Sequence, residues 1–247
     1  TPMFPIRDHN PSERTPYVTW ALIALNIGIF ISYYGLFSSD AAISNFFYRW
    51  GLVPRASYPE TFLTSMFLHG GIMHLAGNML FLWVFGDNME DQMGHLGFLL
   101  FYLASGLAAA FAQVASAPDS IVPMVGASGA IAGVMGGYLL MFPKARVDVI
   151  LILIIIFRII PVPAWIVLSA WFGLQLVQGS MTPTDQGGVA YWAHAGGFAA
   201  GVILTVPLWR KRGGPTFWRR TDGHPPHPEA RYRTVRTGIP TVPRRRR

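Results

Sequence analysis

The 247-residue sequence contains no cysteine, so disulfides, thiol nucleophiles and thiolate metal sites are all excluded. It is also poor in charge: Asp, Glu, Lys and Arg make up 13% of the chain, against about a quarter in a typical soluble domain. With 52% hydrophobic residues and a mean hydropathy of +0.38, such a chain belongs in lipid. The formal net charge of +7 is unevenly spread. Residues 210–247 hold 12 Arg or Lys and 2 acidic residues, which leaves the remainder at −3. Basicity is thus a property of a tail with no folded basic module beside it, which argues against nucleic-acid binding. Such a tail behind an apolar segment marks the cytoplasmic side of a membrane protein and lies near anionic lipid.

A hydrocarbon core of about 30 Å takes about 20 helical residues. On that ruler six segments are predicted to span: 17–37, 61–86, 95–115, 127–142, 161–179 and 189–209. The expected fold class is an all-α membrane protein. Its parts are an N-terminal cytoplasmic segment (1–16), a six-span membrane domain (17–209) and a basic, largely disordered cytoplasmic tail (210–247). The fourth span is short, so its first residues begin below the membrane surface. Pro161 and Pro163 break the long apolar stretch after Lys144. Residues 147–160, dense in Ile and Val, are expected at the interface or packed on the bundle, with helix and strand both open. The segment between 37 and 61, rich in aromatics, suits either an interfacial hairpin or a plain connection. Asp87, Glu90 and Asp91 are placed in an inner loop. Lys144, Arg146 and the tail fall on one side after an even number of crossings, so both termini are expected in the cytoplasm, at a bacterial inner (plasma) membrane.

Polar side chains at membrane depth are costly and persist where they do chemistry or line a wet cavity. Two stand out. Ser128 opens the fourth span in Gly126-Ala127-Ser128-Gly129, and His194 lies near the start of the sixth in Ala193-His194-Ala195-Gly196-Gly197. Both spans run inward, which puts the two residues at one level toward the outer face. Gly129, Gly133 and Gly137 repeat every four residues on the fourth span, as Ala193, Gly197 and Gly201 do on the sixth. Small residues on one stripe let membrane helices approach closely, so these spans are predicted neighbours. A glycine stripe alone signals only packing; here each stripe carries one reactive residue at its outer end. No acidic residue falls within the spans to serve as a third member. A serine and histidine pair suffices for acyl transfer, with imidazole as base and then acid. His74 and Asn78, four apart on one helix face, form a candidate donor pair for an oxyanion, joined by the Ser128 N–H in the first turn of its helix. His69 and His74 fit a shared metal poorly, no HExxH occurs, and neither metal nor cofactor is expected.

The GxSG segment at Gly126 to Gly129, the AHxxG segment at Ala193 to Gly197, and His69, His74 and Asn78 in five- and four-residue steps together resemble the rhomboid family of intramembrane serine proteases. The resemblance covers about residues 17–209. It implies a six-transmembrane-helix bundle with a short, partly submerged fourth span and a water-filled cavity open to the outer face. It also implies a serine endopeptidase acting on single-pass membrane proteins in or near their transmembrane segment. Ser128 would be the nucleophile and His194 the base, with His74, Asn78 and the Ser128 amide at the oxyanion and His69, Gly126, Gly129 and Gly197 in support. A loop cap would fall at about 179–188, with Gly187 and Gly188 as its pliable residues, and substrate would pass between the second and fifth helices. Some members carry an aromatic residue one turn after the serine to support the histidine; Ala132 stands there, so another side chain must hold the ring. The alternative reading is a silent relative that binds or unfolds membrane clients.

Overall fold

The computed structural model describes residues 3–10, 12–153, 156–182 and 189–226. In chain order the elements are β1 (Met3–Asp8), α1 (Tyr17–Tyr33), α2 (Asp40–Trp50), α3 (Thr61–Thr64), α4 (Ile72–Met93), α5 (His95–Ser116), α6 (Ser128–Met141), β2 (Arg146–Leu153), β3 (Ile156–Pro163), α7 (Ala164–Met181), α8 (Tyr191–Lys211) and α9 (Pro215–Thr221). The molecule is mostly helical, and a helix covers most of each segment expected to span. By length and apolarity, Tyr17–Ser38, α5 and α8 can each cross a membrane, and Thr61–Phe67 with α4 makes a fourth if that bent pair is one span.

The expected second span is not one helix. Its two parts meet at 93° across a break at residues 68–71. Tyr33 secures the break from α1: its hydroxyl donates to the His69 carbonyl at 3.0 Å and accepts from the His69 N–H at 2.7 Å. Those backbone groups have no helical partner where the chain turns, and the tyrosine supplies one. Phe46 of α2 stacks on Tyr33 at 4.7 Å, so the first part of the region between 37 and 61 folds as a helix packed on this joint.

The acidic stretch of Asp87, Glu90 and Asp91 is likewise not a loop. Helix α4 continues to Met93, and Gly94 with φ +72° makes the turn into α5. Glu90, 2% exposed, accepts hydrogen bonds from the Val18 and Thr19 amides at 2.8 and 2.7 Å and from the Thr19 hydroxyl at 2.7 Å, and its other contact is His95 Nδ1 at 2.6 Å. The first amides of α1 lack intrahelical acceptors, and a carboxylate there meets both the open N–H groups and the positive end of the helix dipole. One side chain of α4 thereby fixes α1 and α5.

Helices α5, α6 and α8 pack through small residues. A Cβ built on Gly197 would fall on the carbonyl oxygen of Gly129, and one on Gly201 on that of Gly133. On the α5 side, Gly129 lies against Ala109 and Gly133 against Ser105. The neighbourhood expected for the fourth and sixth spans is therefore present as backbone against backbone, with α5 as a third member. At 14 residues α6 is about 21 Å long, and it is buried on nearly every side.

The all-α expectation needs one addition. β1, β2 and β3 form an antiparallel sheet in that order, with Val149 opposite both Pro5 and Ile160. Val147 and Val149 are buried, and β-branched residues suit a pleated, packed surface. The prolines that break the helix, Pro161 and Pro163, sit in the edge strand β3, as Pro5 sits in the other edge β1, where a missing N–H disturbs no central ladder. Asp148 binds Arg7 Nε at 2.5 Å and His9 Nε2 at 2.8 Å; burial raises its carboxyl, but these two partners bring it net below the usual range. Asp8 accepts from the Tyr138 hydroxyl at 2.8 Å, which ties the N-terminal strand to the C-terminal part of α6. Burial and the charge of Asp87 push the Asp8 carboxyl well above its usual range.

Residues 210–226, at the start of the expected tail, are described and partly helical. Helix α8 runs to Lys211, and α9 folds back on the base with Phe217 buried and Trp218 Nε1 donating to the Leu140 carbonyl at 2.9 Å. Residues 227–247 lie outside the described residues, as do 183–188 of the expected cap, including Gly187 and Gly188.

Three outcomes are expected. Gly201→Val, which drives a side chain into the Gly133 carbonyl, should cost at least about 1–3 kcal/mol, whereas Gly28→Ala, with nothing within 4 Å, should change stability by less than about 1 kcal/mol. Thermal unfolding in detergent checks both. Glu90→Ala, which leaves two α1 amides and a threonine hydroxyl without their acceptor, should cost about 2–3 kcal/mol by the same assay.

Candidate active site

The path into α6 is fixed before the helix begins. Leu52 and Met124 exchange backbone hydrogen bonds at 3.0 and 2.8 Å, and the Gly126 N–H donates to the Ser65 carbonyl at 2.9 Å. Gly126 has φ +135°, a conformation that favours glycine. A Cβ there would lie 2.9 Å from His74 Nε2 and 3.5 Å from Ser128 Oγ, so this glycine keeps open the gap between the two side chains.

Ser128 is the first residue of α6, and its N–H belongs to the turn that has no intrahelical acceptor. Its Oγ lies 2.7 Å from His194 Nε2. His194 stands in the first turn of α8, whose preceding amide, Ala193 N–H, donates to Gln113 Oε1 of α5 at 3.2 Å. The span counting that placed serine and histidine at one level is matched by this contact.

The other ring nitrogen, His194 Nδ1, is 2.8 Å from Gln175 Oε1 of α7, a residue 7% exposed. Trp171, one turn earlier on α7, lies beside the imidazole with ring centres 5.6 Å apart and planes 34° apart. These two side chains answer the question left by Ala132, which is fully buried in α6. Sequence reasoning did not single out either. The sequence carries only part of the signal: Gln175 follows Trp171 by four residues, which puts both on one face of α7, but Gln178 stands in the same helix and nothing local distinguishes the two.

On α4, His74 Nδ1 accepts from the Gly70 N–H at 3.2 Å. An accepting Nδ1 leaves the proton on Nε2, the nitrogen beside the gap at Gly126. Asn78 is 7% exposed and donates from Nδ2 to the His74 carbonyl at 2.9 Å, which leaves its second amide hydrogen. His69 lies in the break before α4 rather than on a span. Its buried ring packs edge-on against His74, with centres 5.2 Å apart, and its nitrogens have no hydrogen-bond partner among the described residues. Gly129 and Gly197 form the backbone contact between α6 and α8.

Ser128, His194, His74 and Asn78 all line one cavity of about 580 Å³. It reaches from Met73 and Phe81 of α4 to Trp171 and Gly179 of α7, two helices that face each other across it and hardly touch. Chemically, the site offers a hydroxyl within hydrogen-bond distance of an imidazole nitrogen, hydrogen-bond donors of His74 and Asn78, and room for an extended peptide segment.

Comparison with known proteins gives the family. A Rhomboid domain matches residues 57–211. Rhomboid protein 1, mitochondrial, of Saccharomyces cerevisiae is 31% identical over 199 residues, covering 75% of this chain and 51% of that protein. RHOMBOID-like protein 7 of Arabidopsis thaliana is 28% identical over 162 residues, 63% of this chain and 44% of its own. Rhomboid protease GluP of Bacillus subtilis is 46% identical over 77 residues, 31% of this chain and 15% of its own. The chain thus spans about half or less of the length of these curated relatives. Because they include a mitochondrial protein, they do not support the expected bacterial inner membrane. The matched domain takes in every residue of the cavity's serine, histidine and asparagine set, and the chain belongs to the rhomboid family of membrane proteins.

Proposed function

We propose that this chain is an intramembrane serine endopeptidase that cleaves single-pass membrane proteins within or beside their transmembrane segment. The observation that carries the proposal is the 2.7 Å contact between Ser128 Oγ and His194 Nε2 in a cavity that also holds His74 and Asn78.

In this mechanism His194 Nε2 takes the hydroxyl proton as Ser128 Oγ bonds to the scissile carbonyl carbon. The carbonyl oxygen becomes an oxyanion facing the Ser128 N–H, His74 Nε2–H and the second Nδ2 hydrogen of Asn78. Each such donor, held in place before the reaction, contributes about 3–4 kcal/mol where measured. The imidazolium returns its proton to the leaving amine as the C–N bond breaks, leaving an acyl-enzyme on Ser128. Water then repeats the sequence with the same groups and frees the acid.

The bilayer arrangement that goes with this has six crossings, made by α1, the bent α3–α4 pair, α5, α6, α7 and α8. The short α6 starts beneath the extracytoplasmic surface, and both the N-terminal sheet and the basic residues after α8 are cytoplasmic. A substrate helix hides its peptide bonds in its own hydrogen bonds, so substrates with small or helix-breaking residues near the cut are favoured. The Arg-rich segment binds anionic lipid rather than nucleic acid.

A fluorophosphonate should label the wild type and not Ser128→Ala, and His194→Ala should lower cleavage of a model single-pass substrate by at least about 100-fold. A wild type that is folded yet unlabelled and inactive overturns the proposal in favour of a client-binding relative. Deleting residues 227–247 should leave turnover in detergent within about twofold and weaken binding to anionic vesicles; vesicle binding unchanged by the deletion removes the lipid assignment.

A further inference from the structure

We infer that Gln175 is a positioning residue: it holds the His194 imidazole in the tautomer and orientation that let Nε2 take the Ser128 proton, with Trp171 as the side wall of the ring. This inference rests on the reading of Ser128 and His194 as nucleophile and base.

The geometry is that of a chain of three groups, Gln175 Oε1, His194 and Ser128 Oγ, with contacts of 2.8 and 2.7 Å at the two ring nitrogens. Gln175 Nε2 lies 3.4 Å from the Trp171 carbonyl one turn back in its own helix, which orients the amide with its oxygen toward the imidazole. A carbonyl oxygen only accepts, so Nδ1 carries the ring proton and Nε2 presents its lone pair to the serine hydroxyl. Without that acceptor the ring has two losses. Nδ1–H becomes an unpaired donor in an apolar setting, and the opposite tautomer, whose Nε2–H cannot take a proton from serine, becomes accessible. Among serine hydrolases with a carboxylate in this place, the wrong tautomer costs about 10⁴ in kcat.

An amide differs from a carboxylate in a way that suits this depth. It accepts the Nδ1–H bond without burying a second charge, which in an apolar medium would itself be costly. When Ser128 gives up its proton, the bond from Nδ1–H to Oε1 becomes charge-assisted and shortens, so the amide also supports the transient imidazolium. Trp171 blocks the ring from swinging about its Cβ–Cγ bond toward α7, and its other neighbour is Phe198 at 6.2 Å, one turn after His194. The base is thus carried by α8 and aimed by α7.

The test uses the full chain in detergent micelles, with ¹⁵N-labelled histidine, a model single-pass substrate, and the variants Gln175→Leu, Gln175→Met and Gln175→Glu. In the wild type the His194 ¹⁵N shifts should report the Nδ1–H tautomer; an Nε2–H tautomer overturns the inference without recourse to any variant. Leucine and methionine should lower kcat by about 10- to 100-fold with KM within about twofold, and convert the ¹⁵N pattern to a mixture of tautomers. Glutamate keeps an acceptor oxygen in either protonation state and should recover most of the lost kcat. Methionine, unbranched and similar in length, supplies the comparison should leucine not fold. Variants with wild-type kcat and shifts, a loss of kcat with the Nδ1–H tautomer intact, or no recovery by glutamate each overturn it. A wild type that fluorophosphonate fails to label instead sinks the underlying protease reading, while the tautomer measurement stands on its own.

Discussion

The carbonyl oxygens of Gly129 and Gly133 occupy the space that side chains at Gly197 and Gly201 would need, and this contact sets the distance between the helix that begins with Ser128 and the helix that carries His194. Membrane helices gain little from expelling apolar side chains into a medium that is equally apolar, so close van der Waals packing of backbones carries much of their association. Bulkier residues would separate the two axes by several ångströms, and no rotamer of serine, with one carbon between backbone and oxygen, spans such a gap. The reactive pair therefore depends on residues with no chemistry of their own.

A second constraint follows from the scarcity of water. Backbone groups left open at a helix end or a bend are costly at membrane depth unless the protein supplies a partner. Glu90 closes the start of α1, Tyr33 the break before α4, and Gln113 the start of α8. Each comes from a different helix than the one it completes, so these hydrogen bonds double as joints between elements. The same economy places the donors of the site: the Ser128 N–H is open because the helix begins there, and His74 Nε2–H is directed by what its other nitrogen accepts.

Much of the helical layout and the serine and histidine pair was legible in the sequence, because run length reports helices and glycine spacing reports which of them touch. The misreadings have particular causes. Glu90 looked like a loop residue because a charge after an apolar run normally marks water; here the carboxylate is satisfied by amides 71 and 72 residues away, a pairing no local pattern reveals. The break at 68–71 was hidden by uniform apolarity, although Gly70 and Gly71 lie in it. The 146–163 strands were left open between two structures, and only pairing with β1, itself far away in sequence, decides for the sheet. Gln175 escaped notice because its meaning depends on the rotation of α7 about its axis, which hydrophobicity on all sides does not specify.

The two partners of the dyad are held unequally. Ser128 heads a helix surrounded by α4, α5 and α8 and tied at its far end through Tyr138 to Asp8 of the N-terminal strand. His194 has its backbone on a helix packed against α5 and α6, yet the groups beside its ring come from α7, where Trp165, Leu174, Val177 and Met181 are exposed and whose packing onto α4 across the cavity is slight. The 2.8 Å contact of Gln175 with Nδ1 lies within the normal range of about 2.7–3.2 Å, so the aim of the ring depends on where α7 stands against α8, which the Trp171 and Phe172 rings set through His194 and Phe198. The serine side chain is thus anchored inside the packed bundle, while the orientation of the imidazole depends on a helix at the edge of the cavity.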